Sequence, residues 1–498
     1  MDLLNNLATG FGVAMTVANL GFALLGCLIG TLIGVLPGIG PIATIAMLLP
    51  LTFHLEPVSG LIMLSGIFYG AQYGGSTAAI LVNLPGETSS VVTCMDGHQM
   101  ARQGRAGTAL AIAALASFFA GTVATLVLAI AAPPLARIGQ SFGAPEYFAL
   151  MVLGLVAAVV LAHGSVVKAI AMIVLGLLLG MIGTDGQSGA QRYTFGVPML
   201  SDGLDFAVLA IGVFGVGEII ANLVRPERTG GEIAKINRLW PSREDFRRSI
   251  APTLRGTALG SVLGVLPGGG ATLSSFAAYV VEKRVADDPS RFGKGAIEGV
   301  AGPEAANNAG AQTSFIPMLT LGLPGNAVMA LMIGAMMIHG IQPGPQIMTE
   351  RPGLFWGLIV SMWIGNLMLV VINLPMIGLW VQLLKVPYRF LYLAVLLFSA
   401  IGCYTVSNSV AGVLFAALFG VLGYVFIRLE CEPAPMILGF VLGPLMEDNL
   451  KRSMRISAGD PMIFVERPIC LGLLIVTGLL LLMLVLPAFR TTRKVAFQ

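Results

Sequence analysis

The chain has 498 residues, of which 56% are hydrophobic and 11% are charged. Soluble domains carry about 25% charged residues, so this composition excludes a soluble protein and indicates one that lies in the lipid bilayer. The net charge of +3 gives no support for a nucleic-acid partner.

Nine apolar stretches are long enough to cross the hydrocarbon core, which takes about 20 residues of helix. They cover residues 16–36, 107–132, 145–162, 165–183, 204–224, 353–374, 389–404, 407–427 and 468–488. The first residues lack the basic segment of a signal peptide, so we expect the first stretch to stay in the mature protein. The pattern predicts an all-α polytopic membrane protein with roughly 10–14 membrane-inserted segments.

Six further apolar stretches are interrupted by Gly-Pro or by small polar residues. They cover residues 39–53, 58–84, 252–281, 296–323, 325–341 and 433–446. Backbone can leave helical geometry inside a membrane only where it is buried in protein or lines a watery cavity. These stretches therefore predict broken helices or re-entrant hairpins.

A polar stretch over residues 225–250 divides the chain into two nearly equal parts. It carries seven basic and four acidic residues, and the positive-inside rule places such a loop in the cytoplasm. We therefore predict a first membrane half over residues 1–224, a basic cytoplasmic loop over 225–250 and a second membrane half over 251–498.

The two halves share a glycine motif at an offset of 230 residues. The first copy is Gly26-Cys-Leu-Ile-Gly30-Thr-Leu-Ile-Gly34-Val-Leu-Pro37-Gly38-Ile-Gly40, and the second is Gly256-Thr-Ala-Leu-Gly260-Ser-Val-Leu-Gly264-Val-Leu-Pro267-Gly268-Gly-Gly270. Glycines four residues apart lie on one helix face and allow close approach of another helix. We therefore expect a packing role for Gly26, Gly30, Gly256 and Gly260.

A second pair of motifs follows in the same order. Gly70-Ala-Gln72 precedes Leu84-Pro85-Gly86, and Gly310-Ala-Gln312 precedes Leu323-Pro324-Gly325. Proline stops a helix and glycine adopts angles that other residues avoid, so each Pro-Gly predicts a helix break. Broken ends can hold an anion at free N–H groups and Na⁺ at free carbonyls. The alternative is that each motif only ends a helix at the membrane surface.

The segments that follow the two Val-Leu-Pro-Gly motifs differ in charge. Residues 51–58 contain no Lys or Arg, whereas the counterpart continues into Glu282-Lys283-Arg284. Opposite charge at equivalent positions predicts that the two repeats are inverted in the membrane, with a site near the middle of the bilayer.

Acidic residues in apolar surroundings are costly and usually functional. Glu87 and Glu304 adjoin the repeat motifs, so they are candidates for contact with a cation or a substrate. We interpret Glu218 as a helix-end residue, and the segments around Asp96 and Asp448 as solvated loops.

Catalytic signatures are absent from the sequence. It contains no Ser-His-Asp, HExxH, Walker or paired-carboxylate pattern, and the cysteines and histidines lack metal-site spacing. The segment Gly38-Ile-Gly40-Pro41-Ile-Ala43 matches the dinucleotide pattern GxGxxA, but its membrane context and Pro41 argue against a nucleotide site. We therefore expect no enzymatic activity and no cofactor. Any pumping must use an ion gradient or an outside subunit.

With these motifs, together with Tyr69-Gly-Ala-Gln-Tyr-Gly-Gly-Ser-Thr77, the chain resembles the large membrane subunit of the bacterial tripartite tricarboxylate transporters. The resemblance covers nearly the whole chain. It implies a place in the inner membrane, a small membrane subunit and a periplasmic solute-binding protein as partners, and uptake of citrate and other carboxylates driven by a cation gradient, usually Na⁺. A channel or pore for small organic anions is the alternative, although the sequence offers no ring of charges or carbonyls for one.

The resemblance carries a set of candidate substrate- and cation-binding residues onto the matching motifs. They are Pro37, Gly38, Gly40, Ser76, Thr77, Pro85 and Gly86 in the first half, and Pro267, Gly268, Gly270, Gln312, Pro324 and Gly325 in the second. Beside these motifs we add the polar residues Asn83, Glu87, Asn307, Asn308, Thr313, Ser314 and Asn326. Asn326 stands where the first copy has Glu87, which leaves open whether both halves hold a cation at their Pro-Gly breaks.

Overall fold

The computed structural model describes residues 3–36, 40–161, 165–224, 234, 236, 238–266, 270–384 and 388–485. Its main helices are α1 (Leu3–Ala14), α2 (Val17–Val35), α3 (Pro41–Thr52), α4 (Pro57–Val82), α5 (Ala106–Gln140), α6 (Ala144–Leu161), α7 (Val166–Gly180), α8 (Phe206–Val224), α9 (Arg243–Leu263), α10 (Gly270–Val285), α11 (Glu298–Thr313), α12 (Phe315–Leu321), α13 (Ala327–Ile338), α14 (Pro352–Asn373), α15 (Ile377–Leu383), α16 (Tyr388–Ser407), α17 (Val410–Arg428), α18 (Ala434–Ile456) and α19 (Pro468–Val485). A two-stranded antiparallel ladder pairs Gly183–Thr184 with Gln191–Arg192.

Over their described residues, the nine long apolar stretches all coincide with helices. Among the described residues, five helices are long and apolar enough to cross a membrane: Val17–Val35, Ala101–Gln140, Phe206–Val224, Pro352–Asn373 and Val410–Arg428. Shorter apolar helices accompany them. The protein is therefore an all-α, multi-pass membrane protein, as its hydropathy predicts.

The stretches over 39–53 and 325–341 each contain one short helix, α3 and α13, and the prediction of an interrupted helix is wrong for two of the other four. Residues 58–82 form most of α4, which is continuous from Pro57 to Val82, and residues 434–446 belong to the continuous helix α18. Pro57 occupies the first turn of α4, where a missing N–H costs nothing. By contrast, the stretch over 296–323 is divided between α11 and α12, and residues 252–281 are divided between α9 and α10.

The glycines of the two motifs pack helices in pairs, α2 on α4 and α9 on α11. A Cβ atom added to Gly26, Gly30 or Gly34 would lie 2.2–2.3 Å from the carbonyl oxygens of Met63, Ile67 and Ala71, respectively. A Cβ atom added to Gly256, Gly260 or Gly264 would lie 2.2–2.4 Å from those of Gly302, Ala306 and Gly310. No side chain fits at such distances, so the structure agrees with the packing role expected for these glycines.

The packing also shows how the second motifs correspond. Gly34 faces Ala71 and Gly264 faces Gly310, whereas the sequence match pairs Gly70 with Gly310. The contact register thus lies one residue away from the Gly-Ala-Gln match. It agrees instead with the spacing of the two Leu-Pro-Gly motifs.

Segments that follow the breaks pack across the two halves. The short turn Thr88–Ser90 of the first half lies against α10 of the second, and α13 of the second half lies against α3 and α4 of the first. Each half thus packs the segment after its break against the other half, so both breaks lie where the halves meet. The inversion of the repeats in the membrane stays a prediction.

Charged residues outside the apolar helices form helix caps and ion pairs. The end of the basic stretch forms the first turn of α9, which Ser242 caps, while residues 225–233, 235 and 237 lie outside the described part of the chain. Asp448 belongs to α18, not to a loop. Lys451 on the same helix lies 2.7 Å from Asp185 and holds the pKa of that carboxyl below its usual range.

Candidate functional site

Two helices end in the same way, at equivalent points of the two halves. Asn83 follows α4 with φ of 56°, and Gly322 follows α12 with φ of 72°, so both adopt left-handed backbone. Leu-Pro-Gly comes next in each half. The breaks predicted at these two Pro-Gly pairs are therefore present.

A polar residue then caps the segment that follows each break. Glu87 forms a capping box with Ser90, and the Asn326 Oδ1 accepts a hydrogen bond of 2.9 Å from the Met329 N–H at the start of α13. Capping satisfies free N–H groups of a helix start. Glu87 and Asn326 thus share one structural position although one is an acid and the other an amide.

The other pair of breaks is only partly described. Pro37, Gly38, Pro267 and Gly268 lie outside the described residues. Beside them, a Cβ atom on Gly40 would lie 4.0 Å from the Glu218 Oε1, and Gly270, with φ of 43°, lies next to the Asn326 side chain. Gly270 therefore brings the end of the second glycine motif to the cap of α13.

Glu304 on α11 is the centre of a buried polar cluster. Its side chain is 1% exposed. The Ser76 hydroxyl lies 2.7 and 2.8 Å from the two carboxylate oxygens, the Thr93 hydroxyl donates to Oε1, and the Ser117 hydroxyl lies 3.4 Å from Oε2. We call Glu304 with these three hydroxyl groups the Glu304 centre. It joins three helical elements of the first half to α11 of the second.

Two asparagines on α11 extend this cluster in different directions. The Asn308 Nδ2 donates to the Ser117 hydroxyl over 2.7 Å, which orients that hydroxyl beside Glu304. The Asn307 Nδ2 lies 3.4 Å from the Glu87 Oε1, which also accepts a hydrogen bond of 2.5 Å from Ser89. The two neighbouring asparagines thus link the Glu304 centre to the first-half break.

The first-half break also touches α10 directly. The hydroxyls of Thr88 and Thr272 lie 2.9 Å apart, and Ser275 donates to the Ser89 carbonyl oxygen over 2.7 Å. Glu87 is partly buried at this junction. The break therefore lies between the halves, beside a carboxylate that is more accessible than Glu304.

Buried amides without partners follow the contact between α4 and α11. Ser76 of α4 meets Glu304 of α11, and the rings of Tyr69 on α4 and Phe315 at the start of α12 lie 6.0 Å apart, so α4 runs antiparallel to α11 and α12. Gln72 is fully buried with neither side-chain polar atom paired. Gln312 Oε1 and Asn307 Oδ1 are also buried without a hydrogen-bond partner in the described structure. Buried polar atoms of this kind require an explanation, such as a ligand, an ion or water.

The side chains of several candidate residues instead donate hydrogen bonds to backbone carbonyl oxygens. Thr313 donates to the Ala309 carbonyl and Ser314 to the Ala311 carbonyl within their own helical segment. Thr77 donates to the Tyr73 carbonyl, although it also lines a small cavity beside Glu304. Asn83 and Pro85 are exposed, whereas Pro324 and Gly325 are buried. A Cβ atom on Gly86 would lie 2.2 Å from the Gly34 carbonyl oxygen, so this glycine holds the two first-half motifs together.

The structure adds Thr93 and Ser117 to the cluster around Glu304, and it shows that Asp96, which was predicted to lie in a solvated loop, is buried. Thr93 and Ser117 were not among the candidates, although Ser117 is a polar group in an alanine-rich apolar helix, which is a signal for a polar contact in a membrane. The interpretation of the Asp96 segment as a solvated loop is wrong. Asp96 is fully buried and accepts hydrogen bonds of 2.8 Å from the N–H groups of Gly295 and Ala296.

Comparison with known proteins places the chain in a family. The profile of the "Tripartite tricarboxylate transporter TctA family" matches residues 20–438. A protein of Agrobacterium vitis, named "Uncharacterized 52.8 kDa protein in TAR-I ttuC' 3'region", is 59% identical over 497 residues, which cover 100% of this chain and 99% of the relative. A second A. vitis protein, from the TAR-II ttuC' 3' region, is 56% identical over 238 residues, 48% of this chain and 98% of the relative.

No solved structure matches the chain. The family match agrees with the resemblance carried by the glycine motifs, and it identifies a family of transporters rather than of enzymes. The chain belongs to the TctA family of tripartite tricarboxylate transporters, whose members are the large membrane subunit.

Proposed function

We propose that the chain is the large transmembrane subunit of a binding-protein-dependent secondary transporter in the bacterial inner membrane. It imports small carboxylates of the citrate class and uses a cation gradient, with Na⁺ as the expected ion. A small membrane subunit and a periplasmic solute-binding protein complete the transporter.

One observation carries this proposal beyond family membership: the matched helix breaks that meet between the halves. At each break a helix ends at a left-handed residue, Leu-Pro-Gly comes next, and the segment after it packs on the other half. Broken helices at a repeat interface are the sites at which secondary transporters bind substrate and coupling ions. The nearby side chains of Gln72, Asn307 and Gln312 are neutral amides, and the unpaired N–H groups of Gln72 suit a carboxylate.

The test is uptake of labelled carboxylates into proteoliposomes that contain the chain, the small subunit and the binding protein. We expect uptake of citrate or a related carboxylate to depend on an inward Na⁺ gradient. Asn307→Ala should reduce this uptake. Ser361→Ala is the matched control, because the Ser361 hydroxyl is buried in α14 and bonds only to the Leu358 carbonyl of its own helix.

Two results would contradict the proposal in different ways. Downhill carboxylate flux that is indifferent to every cation gradient would identify a pore. Absence of flux for all carboxylates, with the three components demonstrably assembled, would show that the substrate class or the function is wrong.

A further inference from the structure

We propose that the Glu304 centre binds one Na⁺ ion and is the coupling-ion site of the transporter. This inference rests on the proposed cation-driven function and assigns that function a place in the chain. The proposed cation site is therefore the carboxylate of Glu304 on α11. The sequence had suggested the free carbonyls at the Pro-Gly breaks.

The first step concerns charge. Glu304 is buried, and in the described part of the chain its side-chain partners are hydroxyl groups, with no Lys, Arg or His within ion-pair distance. A buried ionised carboxylate is strongly unfavourable unless a positive charge accompanies it. Hydroxyl donors lower that cost without cancelling the charge. The centre therefore has one negative charge that a cation can balance.

The second step concerns the ligand atoms. Each hydroxyl that surrounds Glu304 carries two lone pairs and can rotate its proton away. The carboxylate and the oxygens of Ser76 and Ser117, which line the same cavity, are then hard oxygen ligands on converging elements. Sites for hard cations are made from such oxygens.

The third step concerns space. A cavity of about 10 Å³ lies between Glu304, Ser76, Ser117 and Asn373, and about 10–15 Å³ is needed to hold one water molecule. A dehydrated Na⁺ is no larger than water, whereas an organic carboxylate needs far more room. The cavity therefore fits an ion and excludes the transported anion.

An independent observation points to a ligand in this cavity. Asn373 on α14 lines it, is 4% exposed, and its Oδ1 has no hydrogen-bond partner in the described structure. Its Nδ2 is held by the Leu369 carbonyl oxygen over 3.0 Å and lies 3.3 Å from the Thr31 hydroxyl. The orientation of the amide leaves an unpaired acceptor oxygen on the cavity wall, as a further cation ligand would require.

The number of carboxylates that line the cavity indicates whether a monovalent or a divalent cation fits there. Divalent sites of hard cations commonly use several carboxylates. Glu304 is the carboxylate of this cavity, and no group of three His, Cys, Asp or Glu side chains suited to a metal occurs among the described residues. One negative charge with neutral oxygens fits a monovalent cation.

The direct test is equilibrium binding of radiolabelled Na⁺ to the full chain purified in detergent. We expect the wild-type chain to bind Na⁺ saturably and Glu304→Gln to lose this binding. The substitution keeps the shape of the side chain and removes a buried charge, so the variant should still elute as a folded protein. Absence of binding to the wild-type chain, or wild-type affinity in Glu304→Gln, would overturn the assignment.

Hydroxyl variants separate a ligand from a structural residue. Ser76→Ala removes a hydroxyl that lines the cavity and lies 2.7 Å from the Glu304 carboxylate, and we expect Na⁺ affinity to fall about 10–100-fold. Ser361→Ala is the matched control, since Ser361 is buried in α14 and, among the described residues, its hydroxyl bonds only to the Leu358 carbonyl of its own helix. Equal affinity in the two variants would contradict the site.

Uptake by the assembled transporter distinguishes failure of this inference from failure of the proposed function. If wild-type uptake follows the Na⁺ gradient and Glu304→Gln shows the same Na⁺ dependence, the cation binds elsewhere and the transport function stands. If the wild type binds Na⁺ at Glu304 but moves no carboxylate, the function fails and the site stands. Uptake driven by a pH gradient without Na⁺, and lost in Glu304→Gln, would make the centre a proton site and overturn the choice of Na⁺.

Discussion

The motif glycines act through the absence of a side chain. In α9, a Cβ atom on Gly260 would lie 2.3 Å from the Ala306 carbonyl oxygen, and Gly30 in α2 has the same distance to the Ile67 carbonyl oxygen. The neighbouring helix presents backbone, which cannot rotate away. The contact therefore has no slack for even one methyl group.

We predict that Gly260→Ala destabilises the protein by about 1–3 kcal/mol, the usual cost of overpacking. Gly21→Ala in α2 is the control, because nothing lies within 4 Å of a Cβ atom there. Alanine favours a helix over glycine by about 1 kcal/mol, so the control should be neutral or more stable. Thermal unfolding in detergent measures both variants. A similar loss of stability in both would show that the close contact is not the cause.

Asp96 is a second residue whose role is structural. Its Oδ1 accepts the N–H groups of Gly295 and Ala296, and its Oδ2 lies 2.9 Å from the Tyr279 hydroxyl. These bonds fasten the segment before α5 to the segment that leads into α11. The position of α11, and with it Glu304, depends on this connection.

Asp96→Ala should lower the free energy of unfolding by about 1–3 kcal/mol for each N–H left unsatisfied. Asp96→Asn keeps one acceptor oxygen and should lose less. The unfolding midpoint in denaturant reports the difference, with Asp287→Ala at an exposed position as the control. Equal losses for the alanine and asparagine variants at Asp96 would exclude these hydrogen bonds as the cause.

Residue patterns predicted part of the cluster and missed the rest for a physical reason. Glu304 and the adjacent asparagines stand out because polar groups in apolar sequence are costly. Thr93 ends the short helix Val91–Thr93 after the break, where nothing in the sequence indicates the direction of its side chain. Asp96 sits among charged residues typical of a solvated loop, and only the packing of Tyr279 and Gly295 against it reveals its burial.

At the scale of elements, the sequence specifies the ends of α4 and α12 most strongly. α4 and α12 both stop at a residue in left-handed backbone before Leu-Pro-Gly. The surroundings of the two ends differ. Asn83 is exposed, whereas a Cβ atom on Gly322 would lie 2.7 Å from the Pro343 carbonyl oxygen.

This difference predicts unequal tolerance to substitution. Gly322→Ala should cost at least about 1–2 kcal/mol from the left-handed backbone alone, with the close contact adding to it. Asn83→Gly should leave the unfolding midpoint nearly unchanged, because glycine accepts the same angles and no packed side chain is lost. Thermal unfolding of the two variants tests this. A tolerated Gly322→Ala would mean that the end of α12 shifts freely.

Hydropathy predicted the helices of the apolar stretches but misplaced some breaks. Glycine and small polar residues inside α4 do not break it, since their missing bulk allows α2 to approach and the helix keeps its backbone hydrogen bonds. α4 and α12 end instead at a left-handed residue that precedes Leu-Pro-Gly, where proline removes an N–H. Small residues therefore mark close packing here, and Pro-Gly marks a change of chain direction.

At the scale of the molecule, the two halves exchange the segments that follow their breaks. Thr88 and Ser89 of the first half meet Thr272 and Ser275 of the second, and α13 packs on α3 and α4. Sequence comparison finds the matching motifs but cannot show that they cross, because such contacts join residues far apart in the chain. Transport by movement of one half against the other would have to change this junction.

A reversible cross-link at the junction tests whether it opens during transport. The hydroxyls of Thr88 and Thr272 lie 2.9 Å apart, so cysteines at both positions bring two sulfur atoms within reach of a disulfide bond. We expect Thr88→Cys with Thr272→Cys to form this bond under oxidation, to stop gradient-driven carboxylate uptake, and to regain uptake after reduction. Each single variant is the control, since it keeps one side of the contact and forms no bond across it. Full uptake by the oxidised double variant would show that the halves stay joined at Thr88 and that access alternates through movement elsewhere in the molecule.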